Sequence, residues 1–184
     1  MLLAGCASEN QSAHRSQAIL DMKRATDHHS FSKPDEAVVT HLHWDAVVDF
    51  DTRIIAATAT YDIRTASDAK RILFDAVDLD ISEVRVDGQE TPWEVGPEQS
   101  FIGQPLSIPV SKDSKQVSIS YSSSPDAGAL LWVEGEQPFL FTQSQAILAR
   151  TWIPCQDSPG VRFTYSAEVE VPKGTMALMS ATNP

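Results

Sequence analysis

The residues able to do chemistry are few, and most are spaced badly for it. All five histidines (His14, His28, His29, His41 and His43) precede position 44. A thiolate nucleophile needs a base within hydrogen-bond reach. No histidine follows Cys155, and prolines bracket it, so its thiol reads as packed rather than catalytic. His41 and His43 stand at i, i+2 and share one face of an extended strand, a spacing at which two imidazoles can approach one metal ion. No third ligand of the right type adjoins them, so they read as polar-face strand residues. His28 and His29 are adjacent and would point opposite ways. The chain has no His-Glu-x-x-His, no Gly-x-Ser-x-Gly and no glycine-rich phosphate loop. One segment remains: Pro138 to Pro159, "PFLFTQSQAILARTWIPCQDSP". Aromatic residues open it, Gln143 and Gln145 flank Ser144, a lone Arg150 follows, and a Pro-Cys-Gln-Asp turn precedes a second proline. It does not alternate as a buried strand would. Read from residue types alone, the two glutamines satisfy backbone groups of an irregular loop.

The elements that must hold this loop are strands. "AVVTHLHWDAVVDFDTRIIAATATYDIR" predicts two long strands around a turn at Asp49 to Thr52, with Ile55, Ala57, Ala59, Tyr61 and Ile63 on one face. Val84 and Val86 before Asp87-Gly88 predict a tight hairpin. In "QVSISY", Val117, Ile119 and Tyr121 point inward. In "VRFTYSAEVEVP", Val161, Phe163, Tyr165, Ala167, Val169 and Val171 take one face. Arg162, Thr164, Ser166, Glu168 and Glu170 take the other, which implies a sheet with one wet side. No long helix interrupts the pattern, so the expected fold is an all-β sandwich or a saddle of stacked sheets.

The 184 residues suit one domain plus a tail, and 42% apolar content allows a real core. The net charge is −11, with acids scattered rather than in runs. That excludes the basic footprint that binds nucleic acid or an anionic membrane surface. The two cysteines, Cys6 and Cys155, lie at opposite ends of the chain and do not make a disulfide framework. No apolar run approaches the ~18 residues of a membrane-spanning helix. Residues 7–35 are polar and read as a flexible tether.

The segment "FTQSQAILARTWIPCQDSPGVRFTYSAEVEVPKGTMALMSA" resembles the N-terminal domain of M1-family zinc aminopeptidases, in the leukotriene A4 hydrolase-like branch. Gln-x-Gln-Ala, the Arg before Pro-Cys-Gln-Asp, the following Pro and the strand ending "ALMSA" match in order. "HLHWDAVVDFDTRIIAATATYDI", "VDGQE" and "ALLWV" extend the similarity over residues 36–184. The resemblance implies a saddle-shaped β domain preceding a catalytic domain that carries the zinc and cleaves N-terminal residues from peptides. This chain itself implies no cofactor, and alone it is expected to be inactive. The resemblance further implies that Gln143, Ser144, Gln145 and Ala146 reach toward the substrate's free N-terminus. A glutamine carbonyl there would accept from an ammonium group without adding charge. Arg150 and Asp157 are expected to form a bidentate pair that pins the loop, and Pro154 and Pro159 to fix its path. Phe139, Phe141 and Trp152 are expected to pack it against the sheet or the catalytic domain.

At the N-terminus, Leu-Ala-Gly-Cys resembles the lipobox of bacterial lipoproteins, with residues 1–6 the remnant of a signal and Cys6 the lipidated residue. A true start upstream would place the domain at the cell envelope, facing the periplasm; otherwise it is cytoplasmic. "LMSATNP" ends on apolar residues with no closing strand, so the β domain is expected to be incomplete there. A second reading stays open: a non-catalytic β-sandwich lipoprotein that binds a partner.

Overall fold

The structure is a computed structural model and describes residues 27–183. Cys6 and most of the tether expected over 7–35 lie outside the described residues. The fold is an all-β sandwich. Its larger sheet has the strand order β11-β1-β2-β8-β4-β5. These strands are β1 (Ala37–Asp49), β2 (Ile54–Thr65), β4 (Asp80–Val86), β5 (Gln89–Glu90), β8 (Gln116–Ser122) and β11 (Thr164–Glu170). The smaller sheet, in the order β3-β7-β6, contains β3 (Arg71–Ala76), β6 (Glu94–Val95) and β7 (Gln104–Pro109). A hairpin of β9 (Leu130–Val133) and β10 (Phe139–Thr142) stands apart and leads into the Gln-x-Gln segment.

The inner face of the larger sheet follows the period-2 pattern. Ile55, Ala57, Ala59, Tyr61 and Ile63 of β2 are buried, as are Val117, Ile119 and Tyr121 of β8. Tyr61 meets Phe74 of the smaller sheet with ring centroids 4.8 Å apart, which joins the two layers. The hairpin at Asp87-Gly88 has φ of 50° and 80° at its two central residues, the left-handed pair that a tight two-residue turn requires. On the outer face, hydroxyls pair across strands: Thr58 with Ser120 at 3.1 Å and Thr60 with Ser118 at 3.2 Å.

Three features depart from the sequence pattern. β1 changes parity midway. Ala37 and Val39 point inward, and so do Leu42, Trp44, Ala46 and Val48, because the register with β2 shifts between Val39 and His41. An inserted residue at such a bulge moves every following side chain to the other face. Second, the chain packs earlier than residue 36. The Ser30 hydroxyl and the Phe31 N–H donate to Asp75 at 2.6 and 2.7 Å, so the last part of the expected tether belongs to the folded domain. Third, β11 alternates as expected but, among the described residues, is an edge strand that pairs only with β1 and in parallel. Its inward residues Tyr165, Ala167 and Val169 are therefore only half-buried.

Gln156 of the Pro-Cys-Gln-Asp turn completes β1. Its Oε1 accepts from the Val39 N–H at 3.0 Å, and its Nε2 donates to the Ala37 carbonyl at 2.9 Å. A buried side chain thus replaces the missing neighbour strand where β11 does not reach. Gln156→Leu should cost about 1–3 kcal/mol in urea unfolding, because it orphans a buried donor and acceptor. An unchanged midpoint would show that those backbone groups find other partners.

Candidate functional site

The site is the 138–159 segment, and two anchors position it. The first is electrostatic. Arg150 sits on a single 3-10 turn (Ala149–Thr151) and is 1% exposed. Its Nε donates to Asp157 Oδ2 at 3.0 Å, one Nη to the Asp157 carbonyl at 3.0 Å, and the other to the Ile102 carbonyl at 2.6 Å. The pairing with Asp157 therefore uses one carboxylate oxygen and the backbone, not the two-oxygen fork expected from sequence. The second carboxylate is Asp75, 0% exposed, with Oδ2 3.7 Å from the guanidinium. Asp75 also accepts from the Asp157 N–H at 2.9 Å. Burial pushes the Asp75 carboxyl up, while its hydrogen bonds and Arg150 pull the other way.

The second anchor is aromatic. Trp152 packs edge-on against Trp44 with centroids 5.3 Å apart. Trp44 Nε1 donates to the Tyr121 hydroxyl at 3.0 Å, and that hydroxyl donates to the Trp152 carbonyl at 2.9 Å. Trp152 Nε1 then donates outward to Ser144 Oγ at 3.1 Å. The Pro154 carbonyl accepts from the buried Tyr61 hydroxyl. Pro159 lies at the exposed turn that closes the segment.

Between the anchors runs the Gln-x-Gln strip. The Gln143 N–H bonds to the Ala129 carbonyl at 2.9 Å, adding one rung to the β9–β10 ladder. Gln143 Oε1 accepts from the Gln145 N–H at 3.0 Å, so this glutamine does hold its own loop. The Ser144 carbonyl accepts from Leu148 N–H at 2.9 Å. The Gln145–Ala146 peptide is cis, and both residues are exposed. Among the described residues the Gln145 side chain makes no hydrogen bond. Beside the strip, Phe139 and Phe141 are 53% and 52% exposed, and with Met176 and Leu178 they line one open concave surface. Of the three aromatic residues expected to pack the loop, Trp152 does so here, while Phe139 and Phe141 face solvent.

Cys155 is buried, and its backbone pairs with Asp75. Burial, reinforced by Asp157 and Asp75, pushes its thiol well above the usual range. Among the described residues no histidine adjoins it. Asp75 and Gln156 were the residues that sequence reasoning missed. The signal for Asp75 was present, since an aspartate inside the apolar run "RILFDA" needs buried hydrogen-bond donors. His43 differs from its sequence reading too. The fold brings Asp45 and Glu168 beside it, with ligand atoms of all three within 4.8 Å of one another.

Residues 35–183 match the family model for the peptidase M1 N-terminal domain. The chain belongs to that family. Leukotriene A-4 hydrolase of Xenopus laevis is 41% identical over 167 residues, covering 84% of this chain and 27% of the relative. Leucine aminopeptidase 2 of Yarrowia lipolytica is 37% identical, covering 67% of this chain and 20% of the relative. The structure of yeast LTA4 hydrolase in complex with bestatin superposes with a TM-score of 0.77 at 25% identity, covering 85% of this chain and 26% of that one. An M1 zinc metallopeptidase from Deinococcus radiodurans, at 18% identity, shares the fold with a TM-score of 0.62 over 79% of this chain and 35% of that one. This M1 N-terminal domain thus spans about a quarter of the length of the curated relatives it matches.

Two outcomes test the anchoring. Arg150→Ala should destabilise the domain by about 3–5 kcal/mol, since it strands the buried Asp75 carboxylate and the partly buried Asp157; a loss under about 1 kcal/mol in chemical denaturation would mean they are neutralised without it. In a Cys6→Ala background, Cys155 should resist Ellman's reagent until denaturant is added. Rapid labelling of the native protein would contradict a packed thiol.

Proposed function

We propose that this chain is the substrate-facing N-terminal domain of a zinc-dependent M1 aminopeptidase, and that Gln145 contacts the free N-terminus of the peptide. The observation that carries the reading is the division of labour in the strip. Gln143 spends its carbonyl on the loop and Ser144 spends its hydroxyl on Trp152, while the exposed Gln145 side chain keeps its full donor and acceptor capacity. An amide oxygen on a backbone anchored at both ends suits a substrate ammonium: it accepts a charge-assisted hydrogen bond and needs no counter-charge of its own. Ala146 keeps the neighbouring position small. The leucine aminopeptidases among the relatives support this class of substrate by their names.

The sequence holds no His-Glu-x-x-His, so these residues do not fit the reaction's zinc. In this reading a catalytic domain supplies the metal and covers Phe139, Phe141, Met176 and Leu178, the apolar surface beside the strip. The Leu-Ala-Gly-Cys stretch supports lipid attachment at Cys6 and a place at the cell envelope.

With the domain joined to its catalytic domain, Gln145→Ala should lower kcat/KM for peptide substrates about ten-fold or more, roughly 1–3 kcal/mol for a hydrogen bond to a charged group. The melting temperature should not move. Unchanged kcat/KM would return Gln145 to a purely structural place in the loop.

A further inference from the structure

We propose that the outer face of the larger sheet carries a site for one divalent transition-metal ion of the zinc class, held by His43, Asp45 and Glu168. The inference does not rest on the peptidase reading.

His43 and Asp45 stand at i, i+2 on β1, beyond the bulge, and share the wet face. The parallel register sets Glu168 of β11 directly opposite Asp45 and Ser166 opposite His43. Two ligands from one strand and a third from its neighbour let a sheet surround a small ion. One donor atom from each residue falls within a 4.8 Å span. Zinc bonds of about 2.0–2.2 Å at tetrahedral angles need donor separations of roughly 3.4 Å, so the exposed side chains need only small rotations to close on an ion.

Two further observations point to a cation. The His43 ring is already oriented. Its Nδ1 lies 2.9 Å from Ser166 Oγ, and that hydroxyl is also 3.2 Å from His41 Nε2. His41 is itself held by Thr164 Oγ1 at 2.8 Å from its Nδ1. With Nδ1 donating to Ser166, Nε2 presents its lone pair to the carboxylates and lies 3.4 Å from Asp45 Oδ1. Metal-binding histidines commonly have their second ring nitrogen held by a hydrogen-bond partner in this way, which sets the plane of the ring. The second observation is charge. Asp45 and Glu168 oppose each other across a strand pair, an arrangement that destabilises a sheet unless something neutralises it. Among the described residues neither carboxylate has a lysine or arginine within ion-pair distance.

One imidazole nitrogen and two carboxylate oxygens select zinc, cobalt or nickel over magnesium and calcium, which favour all-oxygen shells. The ion would cross-link β11 to β1.

The test is a Co2+ titration of the 184-residue chain, followed by absorption and by melting temperature. We expect one saturable equivalent with visible d–d bands stronger than those of aqueous Co2+, displaced by Zn2+ but not by Mg2+, and a melting temperature that rises with free Zn2+. His43→Ala should abolish the uptake, and Glu168→Gln should weaken it at least ten-fold while keeping the side chain's shape. If His43→Ala fails to fold, Glu168→Gln carries the test alone. No saturable uptake, uptake that survives both substitutions, or a near-ultraviolet thiolate band showing Cys6 as the ligand would each overturn the proposal.

Discussion

The whole domain turns on one buried guanidinium. Arg150 and Asp75 are both withdrawn from water, and a charge moved there costs several kcal/mol unless every polar atom finds a partner. The partners come from distant parts of the chain: the Asp157 carboxylate and carbonyl, the Ile102 carbonyl, and the Ser30 and Phe31 donors on Asp75. The N-terminal arm, the middle strand region, the loop before β7 and the Pro-Cys-Gln-Asp turn therefore share one point of closure. None of these segments can shift without exposing or stranding a charge. Three ionised groups of alternating sign achieve here what a hydrophobic contact could not, because their geometry fixes direction as well as proximity.

That rigidity matters because the Gln-x-Gln strip is itself exposed. A surface strip holds a fixed geometry only when something beneath it does. Here the Arg150 cluster fixes one end, and the Trp44–Tyr121–Trp152 stack sends a single indole N–H outward to Ser144. Core and strip are thus joined by a chain of directed hydrogen bonds rather than by apolar contact, which would allow sliding.

Much of this was legible before any coordinates. The inward rows of β2, β8 and β11 follow from alternation alone, since a strand's side chains have only two directions. The Asp87-Gly88 hairpin follows from its turn residues. The odd 138–159 segment announced itself by failing to alternate, and Arg150 by being a single cation in an apolar setting. Features that depend on remote pairing were not legible. The bulge at Val39–His41 leaves no local mark in "AVVTHLHW". Gln156 looked like one more polar turn residue until β1 was seen to lack a neighbour there. Asp75 needed its partners in hand, because a carboxylate in an apolar run tells only that a donor exists somewhere. Asp45 and Glu168 are far apart in the chain, and only the parallel β1–β11 register brings them to His43.

That parallel register has a kinetic side. The β1–β11 seam joins residues 123 positions apart, as at His41 and Thr164, whereas β1 and β2 are joined by a four-residue turn. Loop-closure entropy grows with the length enclosed, and non-local pairings slow folding. Connectivity therefore does least for this seam: β11 closes the longest loop of any pairing in the larger sheet, so its ladder is the last that chain proximity helps to form.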